Sequence, residues 1–162
     1  MNQTTLRRPL DTDGRSVFAL IDRCPPLDTN SAYCNLLQCS HFASTSVIAI
    51  DDDKTLGFIS GYVIPDRQDT LFIWQVAVDE RARGQGLAKR MLKDIVTRQE
   101  CAQVTHLETT ITADNKASWT LFESFAKDFS APLAKSEMFS KDTHFAGLHD
   151  TEFLVRIGPF SS

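Results

Sequence analysis

Apolar positions change their spacing several times along the chain, and each change marks an element. Val17, Phe18, Leu20 and Ile21 recur at helical intervals behind Asp13, and the run stops before Cys24-Pro25-Pro26, where proline bars further helix. Leu27 to Asn30 leads into a second helix with Tyr33, Leu36 and Leu37 on one face. Ser46–Ile50 and Leu56–Ile64 are apolar, β-branched runs, and the turn Asp51-Asp52-Asp53-Lys54 joins them as a hairpin. Pro65 to Asp69 forms the next turn. From Leu71 to Val78 every position except Gln75 is apolar, which predicts a central strand covered on both faces.

Helical spacing returns with Leu87, Met91, Leu92, Ile95 and Val96 and runs to about Arg98. Val104 to Thr112 reads as a threonine-rich strand. Asn115 opens a helix whose inner stripe is Ser118, Leu121, Phe122, Phe125 and Ala126. The segment from Ala134 to Ile157 reads as two short strands around a loop that contains Phe145, Gly147 and His149. No linker, repeat or low-complexity tract interrupts this order. One α/β domain is expected over residues 1–162.

Composition narrows the function more than the fold. With 42% hydrophobic residues in 162, the chain can bury a core without disulfide or metal staples. A net charge of −4 and the lack of a basic cluster argue against a nucleic-acid partner. No apolar run approaches membrane-spanning length, and Met1 to Pro9 lacks the apolar stretch of a signal peptide. A cytoplasmic location without a membrane partner is expected. Cys24, Cys34, Cys39 and Cys101 form no Cys-x-x-Cys pair, so reduced, buried, structural thiols are expected. His144 and His149 lack helical metal-ligand spacing and have no cysteine nearby, so no metal is expected.

The strongest chemical signal is Arg81-Ala82-Arg83-Gly84-Gln85-Gly86-Leu87-Ala88, set between the apolar strand and the next helix. Two glycines allow a tight turn that points successive N–H groups into one concavity, and the helix start adds its positive end. Such a junction is an anion site suited to a diphosphate. The Gly-x-x-x-x-Gly-Lys-Ser/Thr loop of ATPases is absent, and a dinucleotide fingerprint would need glycine where Lys89 stands. Arg-x-x-Gly-x-Gly in this context resembles the GNAT family of N-acetyltransferases, over Leu71 to roughly Lys127.

That resemblance implies a GNAT (acyl-CoA N-acyltransferase) fold, a mixed central sheet flanked by helices, with acetyl-CoA as co-substrate. It places the CoA pyrophosphate on Arg81, Arg83, Gly84, Gln85, Gly86, Leu87 and Ala88. It also implies a strand that splays from its parallel neighbour, with the pantetheine arm paired to the backbone at about Val76 and Val78. Asn115 matches the family's polar residue near the cofactor, a role compatible with capping its helix. Many members carry a tyrosine as general acid seven positions later, where this chain has Phe122. A thiol with a pKa near ~8.5 leaves as a tolerable anion, so no donor is obligatory. A phenolic acid, if used, must be Tyr33 or Tyr62, the two tyrosines of the chain.

Further strings extend the resemblance from Arg8-Pro9 to Ile157. They include Pro25-Pro26-Leu27-Asp28-Thr29-Asn30-Ser31-Ala32-Tyr33, His41-Phe42, Leu71-Phe72-Ile73-Trp74-Gln75, Glu108-Thr109-Thr110-Ile111 and Phe145-Ala146-Gly147-Leu148-His149-Asp150-Thr151-Glu152. These are similar to the branch of the family that acetylates the γ-amine of L-2,4-diaminobutyrate in ectoine biosynthesis. The implied pocket has Asp28 and Glu152 for ammonium groups and Trp74 as a cation–π face. Tyr33 would bond the substrate or the thioester region, and His149 the carboxylate or a departing proton. Direct attack in a ternary complex is implied, with Glu152 as base, His149 as the competing base, and the N–H near Val76 polarising the thioester carbonyl.

Blander roles stand beside these: Asp28 as a helix cap, Trp74 and Tyr33 as packing, His149 as a structural histidine. Two rivals to the substrate also remain open. One is a GNAT enzyme for ornithine, lysine or a polyamine. The other is a non-catalytic acyl-CoA sensor, suggested by Phe122. A homodimer is implied by the resemblance, with the apolar, aromatic tail as a possible interface.

Overall fold

The computed structural model describes residues 3–161 and divides into two compact units. The first comprises Met1–Val63 and Ile73–Ala102, the second Ile64–Phe72 and Gln103–Ser162. Among the described residues there are seven strands and four α-helices.

In the first unit, β1 (Thr5–Arg7), α1 (Gly14–Asp22), α2 (Ala32–Ser40), β2 (Val47–Asp51) and β3 (Lys54–Ile64) precede the C-terminal half of β4 (Arg67–Val78) and α3 (Leu87–Val96). The strand order is β1-β2-β3-β4. β2 and β3 form the expected antiparallel hairpin. Its turn residues Asp52 and Asp53 both adopt positive φ, 46° and 64°, the backbone that matches strand twist in a two-residue hairpin loop. β1, too short to show a period, adds antiparallel to β2. Val17, Leu20 and Ile21 of α1 pack with Cys24, Cys39, Ile48, Phe58 and Ala77 into one buried cluster. Helix α3 buries Leu87, Met91, Leu92, Ile95 and Val96 as its spacing predicts. Gly57 on β3 lets it approach: a Cβ there would lie 2.7 Å from Met91 Cε.

The second unit holds the N-terminal half of β4, β5 (His106–Thr112), α4 (Lys116–Asp128), β6 (Leu133–Phe139) and β7 (Glu152–Ile157), in the order β4-β5-β7-β6. β4 and β5 are parallel, with Thr70 opposite His106 and Phe72 opposite Glu108. β7 runs antiparallel to both β5 and β6, so the last strand inserts beside β5. Phe122, Phe125 and Ala126 supply the buried stripe of α4, and Phe125, Phe129 and Phe160 stack in a ring cluster.

Two expectations need correction. β4 is covered on one face only: Leu71, Ile73, Gln75 and Ala77 are buried, whereas Phe72, Val76 and Val78 are half-buried and Trp74 is 43% exposed. An all-apolar run does not distinguish a strand covered twice from one whose second face is apolar but open. Helix α2 also turns a different face inward. It buries Asn35, Gln38 and Cys39, and leaves Tyr33 and Leu36 exposed. The Asn35 amide donates to Gln38 Oε1 at 3.1 Å, which pairs one end of each side chain and leaves Asn35 Oδ1 and Gln38 Nε2 buried without a partner among the described residues.

One side chain secures the end of α3. The Arg98 guanidinium donates to the carbonyls of Ala43, Ser44 and Ser46 and to Asp94, with only 11% of the side chain exposed. Truncation removes all of these bonds at once. Arg98→Ala is therefore expected to cost about 2–3 kcal/mol, read as a lower urea midpoint with an unchanged slope.

Candidate active site

The junction after β4 has the geometry its sequence implies. Gly84 and Gly86 hold left-handed φ of 75° and 74°, and Gly86 is the N-cap of α3. No heavy atom lies within 4 Å of a Cβ built on either, so the backbone conformation, not crowding, requires glycine. The first helical bond runs from the Arg90 N–H to the Gly86 carbonyl, and Leu87 and Ala88 open the helix at its positive end. An open cradle of this kind fits a diphosphate.

One arginine of the loop, Arg81, is held by a residue the sequence did not single out. Asp79, 4% exposed, accepts from the Arg81 N–H, from Arg81 Nε at 2.9 Å and Nη2 at 3.2 Å, and from Arg23 Nε at 2.9 Å. The Arg81 hydrogen bonds hold its carboxyl far below the usual aspartate range, outweighing burial, with Arg23 adding to the effect. Arg23 also donates to the Thr55 carbonyl, and Arg83 Nε donates to the Val78 carbonyl at 3.1 Å. Gln85 Nε2 reaches the Arg81 carbonyl at 3.4 Å. The loop is thus tied to the end of β4, and Arg81, with 59% of its side chain exposed, still faces solvent.

Along the open face of β4, Trp74 stands in a group of rings. Its centroid lies 6.2 Å from that of Tyr62 and 6.5 Å from that of Phe42, both edge-on. Trp74 is therefore not core filling, and burial pushes the Tyr62 phenol up, away from neutral titration. The Asp28 segment is fastened to the same strand. Gln75 Nε2 donates to the Asp28 carbonyl at 2.7 Å, and Gln75 Oε1 accepts from Asn30 Nδ2 at 3.0 Å. Asp28 is exposed and does not cap α2; Ser31 does, accepting from the Cys34 N–H. Tyr33, in the first turn of α2, is 69% exposed and is not packing.

In the second unit the structure brings His149 and Glu152 together. Their nearest atoms, Nε2 and Oε1, are 4.0 Å apart, with Glu152 half-buried at the start of β7. His149 Nδ1 lies 2.6 Å from the Asp150 carbonyl, which assigns the proton to Nδ1 and turns Nε2 toward the carboxylate. Phe145 stacks on the imidazole with centroids 4.5 Å apart. Asn115 caps α4, its Oδ1 accepting from the Ser118 N–H at 3.2 Å. Phe122 is a core side chain, 2% exposed. Glu108, 1% exposed, sits between Arg67 and Arg156; burial alone would raise its carboxyl, and the two guanidinium groups outweigh that and lower it.

All four cysteines are free, and Cys24, Cys39 and Cys101 are buried. Cys34 is only half-buried, against expectation. Burial pushes the Cys39 thiol up to about 12 and raises those of Cys34 and Cys101, so these three are poor nucleophiles.

Comparison with known proteins agrees with this geometry. Residues 15–126 match the acetyltransferase (GNAT) family. An L-2,4-diaminobutyric acid acetyltransferase from Methylotuvimicrobium alcaliphilum is 55% identical over 158 residues, which cover 98% of this chain and 92% of that one. The Halomonas elongata protein of the same description is 49% identical over 158 residues, covering 97% and 82%. The structure of diaminobutyrate acetyltransferase EctA from Paenibacillus lautus, in complex with its substrate L-2,4-diaminobutyric acid and coenzyme A, aligns with a TM-score of 0.95 at 37% identity, covering 100% and 98%. The chain belongs to the GNAT family of acetyltransferases and, within it, to the diaminobutyric acid acetyltransferases.

Two outcomes follow from the loop. Gly86→Ala forces a Cβ into left-handed backbone and is expected to destabilise by about 1–2 kcal/mol in thermal unfolding, with weaker acetyl-CoA binding by calorimetry. The depressed Asp79 carboxyl stabilises the fold fully above its ordinary value of 3.8, and that contribution is lost as pH falls below it. Urea midpoints followed down to roughly pH 3 should fall more steeply for the wild type than for Asp79→Asn.

Proposed function

We propose that the chain works as one N-acetyltransferase domain over residues 1–162, moving the acetyl group of acetyl-CoA to the γ-nitrogen of L-2,4-diaminobutyrate for ectoine biosynthesis. The observation that carries this reading is the open glycine cradle in a chain that matches diaminobutyric acid acetyltransferases over nearly its whole length. Residues Arg81, Arg83, Gly84, Gln85, Gly86, Leu87 and Ala88 hold the pyrophosphate, with Asn115 also on the cofactor and the backbone at Val76 and Val78 taking the pantetheine arm. Acetyl-CoA supplies the acetyl group as an activated thioester.

The remaining chemistry belongs to side chains. A γ-ammonium with a pKa near ~10, by analogy with lysine, must lose a proton before its lone pair can attack. Glu152 takes that proton, directly or through a water, and the nearby His149 contacts the substrate carboxylate. Asp28 and the exposed Trp74 bind ammonium charge, the carboxylate by pairing and the indole through its face. Tyr33 is exposed enough to bond substrate. The new C–N bond forms as the C–S bond breaks, the sulfur leaves with the bonding electrons, and the second proton shed by the nitrogen protonates it, giving a neutral amide and the free thiol of CoA. No acyl-cysteine is required, and the raised thiols do not favour one.

A homodimer is the proposed assembly. β6 ends its strand order as an edge with Met138 and Phe139 exposed, and Leu148 in the following loop is 90% exposed. Four free thiols support a reducing, cytoplasmic setting.

Steady-state kinetics on a panel of amines test the function. Diaminobutyrate is expected to exceed ornithine, lysine and spermidine in kcat/KM by at least tenfold, whereas comparable turnover of those amines overturns the substrate. Glu152→Gln should lower kcat by roughly 100-fold or more and His149→Ala by less; the reverse order makes His149 the base. Sedimentation equilibrium should give the mass of two chains, shifting toward one for Leu148→Asp.

A further inference from the structure

We infer that Gln75 and Asn30 are positioning residues that hold the Asp28 carboxylate for an ammonium group of the diamino acid and thereby help set the accepted chain length. The inference rests on the proposed function. Gln75 is the one polar residue between Leu71 and Val78, and it lies on the covered face of β4 at 7% exposure. A buried amide is costly unless both its ends are paired. Here both ends are spent on the same short segment: Nε2 on the Asp28 carbonyl at 2.7 Å, and Oε1 on Asn30 Nδ2 at 3.0 Å.

Asn30 closes the device. Its N–H donates to Asp28 Oδ1 at 3.2 Å, and its φ of 49° is a left-handed conformation that asparagine adopts more readily than most residues. The Asp28 carboxylate is therefore held through Asn30, and Asn30 through Gln75. The neighbouring residue on the strand, Trp74, presents the exposed indole. Two consecutive positions of β4 thus govern two of the groups assigned to ammonium charge, Trp74 directly and Asp28 through an amide. Diaminobutyrate and ornithine differ by one methylene, so discrimination between them needs an anchor that does not drift. An untethered Asp28 would accommodate either length.

Gln75→Met keeps the volume and removes both bonds. It is expected to raise KM for diaminobutyrate about tenfold, the loss of one to two hydrogen bonds, with kcat within about twofold and KM for acetyl-CoA unchanged. The ornithine-to-diaminobutyrate ratio of kcat/KM should rise. In an Asp28→Ala background the same substitution should change KM by less than about twofold, because the group it positions is gone. Asn30→Gly retains the left-handed backbone and removes the donor to Gln75 without adding charge beside Asp28, and it supplies the same readings if Gln75→Met does not fold. A fall in kcat at constant KM, or full additivity with Asp28→Ala, overturns the inference while the wild type remains active on diaminobutyrate. A wild type inactive on every small diamino acid overturns instead the function on which it rests.

Discussion

The alternation of β4 is the constraint on which the first unit depends. A strand turns successive side chains to opposite faces, so Ile73, Gln75 and Ala77 are buried while Trp74, Val76 and Val78 stay at least partly open. The buried face anchors the strand through Ile73, Ala77 and the amide of Gln75. The open face is then free to present Trp74, Val76 and Val78. Chain direction adds the last element: β4 ends at the buried Asp79, and the glycine loop follows at once. A one-residue slip of register would bury the indole and expose the amide, losing both arrangements together.

Each unit also contains a buried carboxylate set between two arginines. Asp79 serves Arg81 and Arg23 in the first, and Glu108 serves Arg67 and Arg156 in the second. The arginines are partly exposed, so the net worth of each pair is modest after solvent screening. Their value is geometric. Asp79 stops Arg81 of the glycine loop from sweeping freely. Glu108 joins the start of β4 to β5 and β7, where Glu108 and Arg156 face each other in register. Neither role requires large stabilisation, only that the carboxylate stay ionised, which the lowered pKa of each secures.

Much of this was legible in the chain itself, and the parts that were not share a cause. The glycine loop, the β2–β3 hairpin, α1, α3, α4 and the final strand pair follow from turn chemistry and spacing, which are local. The inward face of α2 does not follow its apolar residues: Tyr33 and Leu36 stay out, while Asn35 and Gln38 go inside joined by a single hydrogen bond. β4 was misread because an apolar residue can line an open face as well as a core. Gln75 was visible as an anomaly, but its partners lie more than forty residues away, at 47 for Asp28 and 45 for Asn30. Asp79 carries no local signal, because its partner Arg23 lies 56 residues away in sequence. The bond from His149 Nδ1 to the Asp150 carbonyl, which sets the ring's tautomer, likewise needed coordinates.

The central claim is that these residues direct acetyl transfer to one particular nitrogen. Purified protein incubated with acetyl-CoA and L-2,4-diaminobutyrate labelled with nitrogen-15 at the γ position would show it by two-dimensional NMR of the product. A new amide signal on the labelled γ-nitrogen is expected, formed in step with free thiol release. An acetyl group on the unlabelled α-nitrogen, or thiol release without an amide on either, would contradict it.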